Sequence, residues 1–325
     1  MCQSAHKEDL FMCTNYGYES ATGPIRFTLT NDYMFHIIFE NCRSSLRSFL
    51  GSLLHMQPEE ILTLEVTNPI DYGRLPEDKK IILDLRMLMN HSKIINLEMQ
   101  VFDDGDWEDR SVLYLCRCYD RVLRGKDYDT IMPAHLIGIL DFNLRDKTYE
   151  LFSTYHFRND KTGATYGNIG LSVLNLRQID LATAEDKKWH IDRWARLFKA
   201  TTWEELRMIA ANDIEMTETA KILYEKNQDM YAQSWAISRE MALFDERRRK
   251  AKEKKALEEL ARTELKLEEL QKEAADIQQK LEDAKKETAT VQQEAAAAQA
   301  EAAAAQEENK RLLAILASKG IDPNA

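Results

Sequence analysis

The sequence predicts an α/β protein: a mixed sheet flanked by helices, followed by a helical appendage and one long C-terminal coiled-coil helix. Three observations predict it. A helical apolar period gives way to short apolar runs and then returns. Two acidic residues interrupt otherwise apolar strands. The last quarter carries a sustained heptad spacing.

Taken in order, residues 1–26 are polar and mixed and are expected to carry little order. From Phe27 to about His55, Phe35, Ile38, Phe39, Leu46, Phe49, Leu50 and Leu53 recur at three- and four-residue steps, the mark of an amphipathic helix. Asn31 or Asp32 is its N-cap, and Gln57-Pro58 ends it. Ile61–Val66, Ile81–Met89 and Lys93–Val101 are short, apolar and bounded by turn residues, as strands are. Asn68–Lys80 reads as a loop, and Asn90-His91-Ser92 as a tight hairpin turn. Asp109–Arg124 returns to helical spacing and Gly125 stops it. Ala134–Phe142 is a near-continuous apolar run of buried-strand length, and Tyr149–Phe157 reads as a further strand. The order helix, three strands, helix, strand, strand gives an α/β layer arrangement.

From about Ala184 the chain is helical, with Trp189, Trp194, Leu197, Phe198, Trp203 and Leu206 as packing residues. Beyond Phe244 the composition becomes charged and then alanine-rich. A 4-3 spacing runs from Leu260 through Leu267, Leu270, Ile277, Leu281, Val291 and Leu312 to Leu316, seventeen positions in one register. The domain boundaries expected are 27–157 for the sheet domain, 158–244 for the appendage, 245–318 for the coiled coil and 319–325 for a tail. The coiled coil implies self-association, and a solvated single helix is the alternative.

Composition bounds the function. A net charge of −11 argues against strong non-specific nucleic-acid binding, which leans on a basic footprint. The one basic cluster is Arg247-Arg248-Arg249-Lys250 with Lys252, Lys254 and Lys255, either a phosphate contact or the solvated start of the long helix. Five cysteines without a CxxC pair suggest reduced thiols. There is no signal peptide and no apolar stretch near the ~18 residues of a membrane span. A soluble, cytoplasmic protein is expected.

The chemistry is expected in the hairpin. Asp84 stands in IILDLRM and Glu98 in INLEMQV. A turn centred on His91 sets them opposite each other, about 4.5–5.5 Å apart at Cβ. Facing like charges repel, and a hard divalent cation removes the conflict. Gln100 shares the face of Glu98. A slip of one residue would instead put the acids on opposite faces.

These stretches carry a resemblance. NDYMFHIIFE, RSFLGSLL, ILDLRM, INLEMQ, RSVLYLCRCYDRVLRGKDY and HLIGILDF, in this order and spacing, resemble the PD-(D/E)XK nuclease superfamily, and within it the Rpn-like recombination-promoting nucleases and transposases. The resemblance covers roughly Phe27 to Phe157 and implies a restriction-endonuclease-like mixed sheet. It implies Asp84 and Glu98 as metal-binding acids, with Gln100 where the superfamily has Lys. The Rpn-like branch is similar in using Gln. A neutral amide implies slower chemistry or heavier reliance on metal. Glu40 resembles an extra metal-binding acid on the first helix. Asp32 and His36 share its face and read as cap and solvated stripe. Arg110 and Tyr114 begin the helix after the site and are placed to touch phosphate, with a structural salt bridge the equal alternative for Arg110. The resemblance implies a Mg²⁺- or Mn²⁺-dependent deoxyribonuclease acting on DNA, tied to recombination or a mobile element. The competing reading is a catalytically inactive nuclease fold serving as a scaffold through its coiled coil.

Overall fold

The computed structural model describes residues 17–67, 70–71, 81–82, 84–119, 127–145 and 149–319. Most of the expected Asn68–Lys80 loop, the Gly125 stop and the start of the N-terminal segment lie outside the described residues. The chain divides into two compact units, Met1–Arg247 and Arg248–Ala325.

The first unit opens with α1 (Asp32–Asn41) and α2 (Arg43–Leu54), where the apolar period alone predicted one helix. They part at Cys42, whose backbone is extended. Its thiol lies 3.2 and 2.9 Å from the Ser44 and Ser45 hydroxyls. Serines in such positions bond locally and compete with helix continuation. Asn31 caps α1, its side-chain oxygen accepting from Met34 N at 3.1 Å.

The sheet has six strands in the order β1-β4-β5-β6-β8-β7: β1 (Leu64–Val66), β4 (Leu85–Met89), β5 (Lys93–Gln100), β6 (Ala134–Leu140), β8 (Thr165–Asn175) and β7 (Phe152–Arg158). A separate pair, β2 (Ile70–Asp71) and β3 (Ile81–Ile82), stands outside it. β5, β6 and β8 run parallel, and the other strands are antiparallel to their neighbours. β8 extends the sheet past the run of strands read from the sequence. Its first half is mostly exposed and holds Gly167 and Gly170, so its apolar alternation begins only near Ile169. The β4–β5 turn uses Asn90 and His91 at φ 50° and 53°, the left-handed pair that suits the twist of a tight hairpin.

Alternation along β4, β5 and β6 sends residues to two cores. Leu85, Met87, Ile95, Leu97, Met99, Ile137 and Ile139 face the larger one. There they meet an aromatic cluster from α1, α2 and α5 (Ile191–Lys199). Phe39 and Phe49 have ring centroids 5.3 Å apart, and Phe49 lies 5.0 Å from Trp194 and 5.3 Å from Phe198. Aromatic pairs at such separations contribute about 0.5–1.5 kcal/mol each beyond area burial. The tryptophan-bearing helices α5, α6 (Trp203–Ala210) and α7 (Ile214–Gln228) therefore share the core of the sheet. Between Lys188 of the short α4 (Ala184–Lys188) and α5, Trp189 packs at the core's edge. Residues 17–26, expected to carry little order, also join the core: Tyr18, Ala21 and Ile25 are buried. Asn227 pins the following residue, accepting from Phe27 N at 3.0 Å and donating to Phe27 O at 2.9 Å.

The other face of the sheet is covered by α3 (Trp107–Tyr119) through Trp107, Leu115 and Cys118, against Ile94, Leu136, Leu140 and Val173. Gly138 of β6 is the point of closest approach. A Cβ there would lie 2.2 Å from Cζ2 of the Trp107 ring.

The helix α8 (Met230–Ser318) spans the boundary between the units. In the first unit, Ala232 and Ala236 are buried in the large core. In the second, Leu260, Leu267, Leu270, Ile277, Leu281, Val291 and Leu312 all stand exposed. No helix among the described residues is long and apolar enough to cross a membrane.

Candidate metal centre

The site is built on the hairpin register. Leu85 pairs with Leu97, Arg86 with Asn96 and Met87 with Ile95, so the strands are centred on His91. Continued by one residue, this register sets Asp84 opposite Glu98. Asp84 stands at the bend just before β4, at the strand's mouth and not within it, and is half-buried there. Glu98 lies inside β5 and is 1% exposed.

The two acids are laced together. Asp84 N donates to Glu98 Oε1 at 3.3 Å, and Met99 N donates to Asp84 Oδ2 at 2.7 Å. Asn96, on the same face, donates from Nδ2 to Glu98 Oε1 at 2.8 Å. Its Oδ1 is buried without a hydrogen-bond partner. Burial, the charge of Glu98 and then that of Asp32 push the Asp84 carboxyl well above the usual carboxylate range. Burial likewise raises Glu98, while the bonds from Asn96 and Asp84 N and the charge of Arg110 pull it back. Each acid makes the other's charge harder to hold.

Gln100 follows on the same face as Glu98. Its Oε1 accepts from Arg110 Nη2 at 2.7 Å. Arg110 is held in turn by Asp106, 3.7 Å from its Nη1, and lies 5.7 Å from the Trp107 ring centroid. Trp107 seats over Gly138, the β6 partner of Glu98. This packing sets where α3 presents Arg110. Tyr114, one turn on, has its hydroxyl pushed up to about 12 by burial and by the charge of Glu98, so it remains a proton donor beside the pair.

Glu40 is not brought to this place. It pairs with His36 at 3.2 Å on the exposed side of α1. Eight residues separate it from Asp32, about 12 Å of helix. The acid of α1 that acts on the site is Asp32, whose charge bears on both Asp84 and Glu98. Asp32 is ion-paired with Arg239 of α8, 207 residues away in sequence. Local spacing marked Asp32 only as a helix start, and nothing near it points to Arg239.

Among the described residues, no three His, Cys, Asp or Glu side chains converge to hold a metal ion. The donors present still fit a hard cation. Two facing carboxylates offer oxygen donors, and beside Glu98 the Asn96 amide oxygen has no hydrogen-bond partner among the described residues. Mg²⁺ is commonly held by one or two carboxylates, with water and substrate oxygens completing its shell.

A family model described as PD-(D/E)XK nuclease family transposase matches residues 29–254. The chain belongs to this family. No curated protein and no solved structure matches it.

The raised carboxyls set a sign for pH. In the metal-free fold they keep protons that the unfolded chain releases near pH 4, so their contribution to stability falls as pH rises through their folded range. Asp84→Asn removes that charge and keeps the acceptor for Met99 N. In EDTA, thermal denaturation should show the variant melting above wild type at pH 8, with the gap closing toward pH 4. About 2–4 °C is expected per kcal/mol for a unit of this size. A gap independent of pH would contradict the coupled-acid account.

Proposed function

We propose that this chain is a metal-dependent endonuclease that hydrolyses DNA phosphodiester bonds, with Asp84 and Glu98 holding Mg²⁺ or Mn²⁺. The observation that carries the reading is the register that sets a half-buried and a buried carboxylate, mutually repelling, face to face beside Gln100. When bound, the ion would lower the pKa of a water and offset charge on the scissile phosphate.

The chain's own groups have separable tasks. Asp84 and Glu98 supply the negative charge that selects a cation. Arg110 donates to Gln100 Oε1, which leaves the amide's Nε2 to act as its donor. That donor can hold an attacking water by its oxygen but cannot take its proton. The positive charge that Lys would bring is delivered one bond away by Arg110, which also favours the ionised form of Glu98. Trp107, packed on Gly138, holds α3 and thus Arg110 in place. A cytoplasmic location and a role in recombination or mobile-element movement belong to the same proposal.

Self-association is the second part of it. Leu267, Leu270 and Ile277 are 57–65% exposed along one heptad seam of the second unit. Apolar seams of this kind are covered by a partner helix in coiled coils. A second copy of this chain is the partner proposed.

Two experiments test these statements. Purified wild type should nick or linearise plasmid DNA with Mg²⁺ or Mn²⁺, and Asp84→Asn and Glu98→Gln should leave no cleavage above background. Silence of wild type across metals would favour the inactive-scaffold reading. Light scattering at micromolar concentration should give an oligomer for wild type and a smaller species for Leu267→Glu/Ile277→Glu. A monomeric wild type would end the self-association proposal.

A further inference from the structure

The first stretch of α8 lies along the acid cluster, and its contacts there are specific. Trp235 stacks on Tyr33, with centroids 6.4 Å apart and planes 14° from parallel. Asn31 donates from Nδ2 to Glu240 Oε1 at 2.7 Å. Between these two contacts Arg239 reaches Asp32 and pairs with it. Two turns on, the Arg247 guanidinium sits 3.7 Å from the centroid of the Phe102 ring, two residues past Gln100, and 3.7 Å from Asp104. This part of α8 therefore follows the edge of the site from the start of α1 to the end of β5.

Arg239 differs from the other contacts in what it does to the site. Its charge acts on Asp84 as well as on Asp32. The cluster of Asp32, Asp84 and Glu98 thus already has a cation of its own, supplied from a distant segment. A divalent ion approaching Asp84 and Glu98 meets that charge as well as the acids. Two cations drawn to the same group of carboxylates oppose each other.

We propose that Arg239 is the resident counter-cation of the acid cluster, and that it sets the affinity of the site for divalent metal ions by competing with them. The proposal rests on the reading of Asp84 and Glu98 as the metal-holding pair. In it Arg239 is a positioning residue that acts through Asp32 and the shared field of the acids, and not by touching substrate. The competitor is carried by α8 and is placed by its own ion pair with Asp32.

The test is metal binding by the full-length chain without DNA, using isothermal titration with Mn²⁺ and with Ca²⁺. Removing a competitor strengthens binding, whereas damage to a structural pin does not. Arg239→Gln should therefore bind Mn²⁺ roughly three- to tenfold more tightly than wild type, the scale of one screened unit charge. Arg239→Lys should stay near wild type. Asp32→Asn should bind more weakly, and Asp32→Asn/Arg239→Gln should lose most of the gain. Trp235→Leu loosens the same helix without changing charge and should leave the affinity unaltered. Unchanged or weaker binding by Arg239→Gln, or an equal gain in Trp235→Leu, overturns the proposal. Wild-type binding that Asp84→Asn abolishes, with no gain in Arg239→Gln, overturns this proposal alone. A wild type that binds neither ion overturns it together with the metal-site reading.

Discussion

The structure turns on one constraint: a tight hairpin centred on His91 forces two carboxylates to face each other. The turn leaves little choice. Asn90 and His91 both take left-handed backbone angles, and Leu85, Met87, Ile95, Leu97 and Met99 must all point into the large core. A slip of one residue would turn Leu85, Met87, Ile95 and Leu97 away from that core together. The hydrophobic effect therefore pays for an arrangement that electrostatics opposes. The conflict is local, and it is concentrated where Asp84 and Glu98 exchange side-chain bonds with each other's strand.

Around that pair the fold arranges groups that moderate the conflict. Asn96 and the amide of Asp84 donate to Glu98, and the amide of Met99 donates to Asp84. Arg110 arrives from α3, whose position depends on a bare Gly138 accepting the Trp107 ring. Asp32 adds a third negative charge and brings its own cation, Arg239, from a helix that meets α1 beside the large core. The site thus draws on α1, the hairpin, α3 and α8, and the family match from residue 29 to residue 254 spans all of them. It includes the Trp-bearing helices and the beginning of α8, which share one core with the sheet.

Much of this was legible in the sequence, for reasons that can be named. The register followed from a period of two and a turn of polar residues, so Asp84 and Glu98 could be paired by counting outward from His91. The Asn31 cap followed from residue type and place. The break at Cys42 was hidden because neither Gly nor Pro marks it, only thiol and serine bonds. β8 was hidden because its two glycines and exposed first half blur the alternation. Glu40 came from the resemblance, and spacing put Asp32 and His36 on its face without showing which turn of the helix reaches the sheet. The Asp32–Arg239 pair had no local signal at all, since a contact across 207 residues exists only once the core of α1, α7 and α8 has formed.

The central claim is that the facing carboxylates exist to hold a divalent ion. Crystals soaked in Mn²⁺ and measured at the manganese absorption edge test it most directly. The account predicts an anomalous peak between Asp84 and Glu98 within about 2.5 Å of a carboxylate oxygen from each, and its loss in Asp84→Asn. Full manganese occupancy elsewhere with no peak between these two side chains would contradict it.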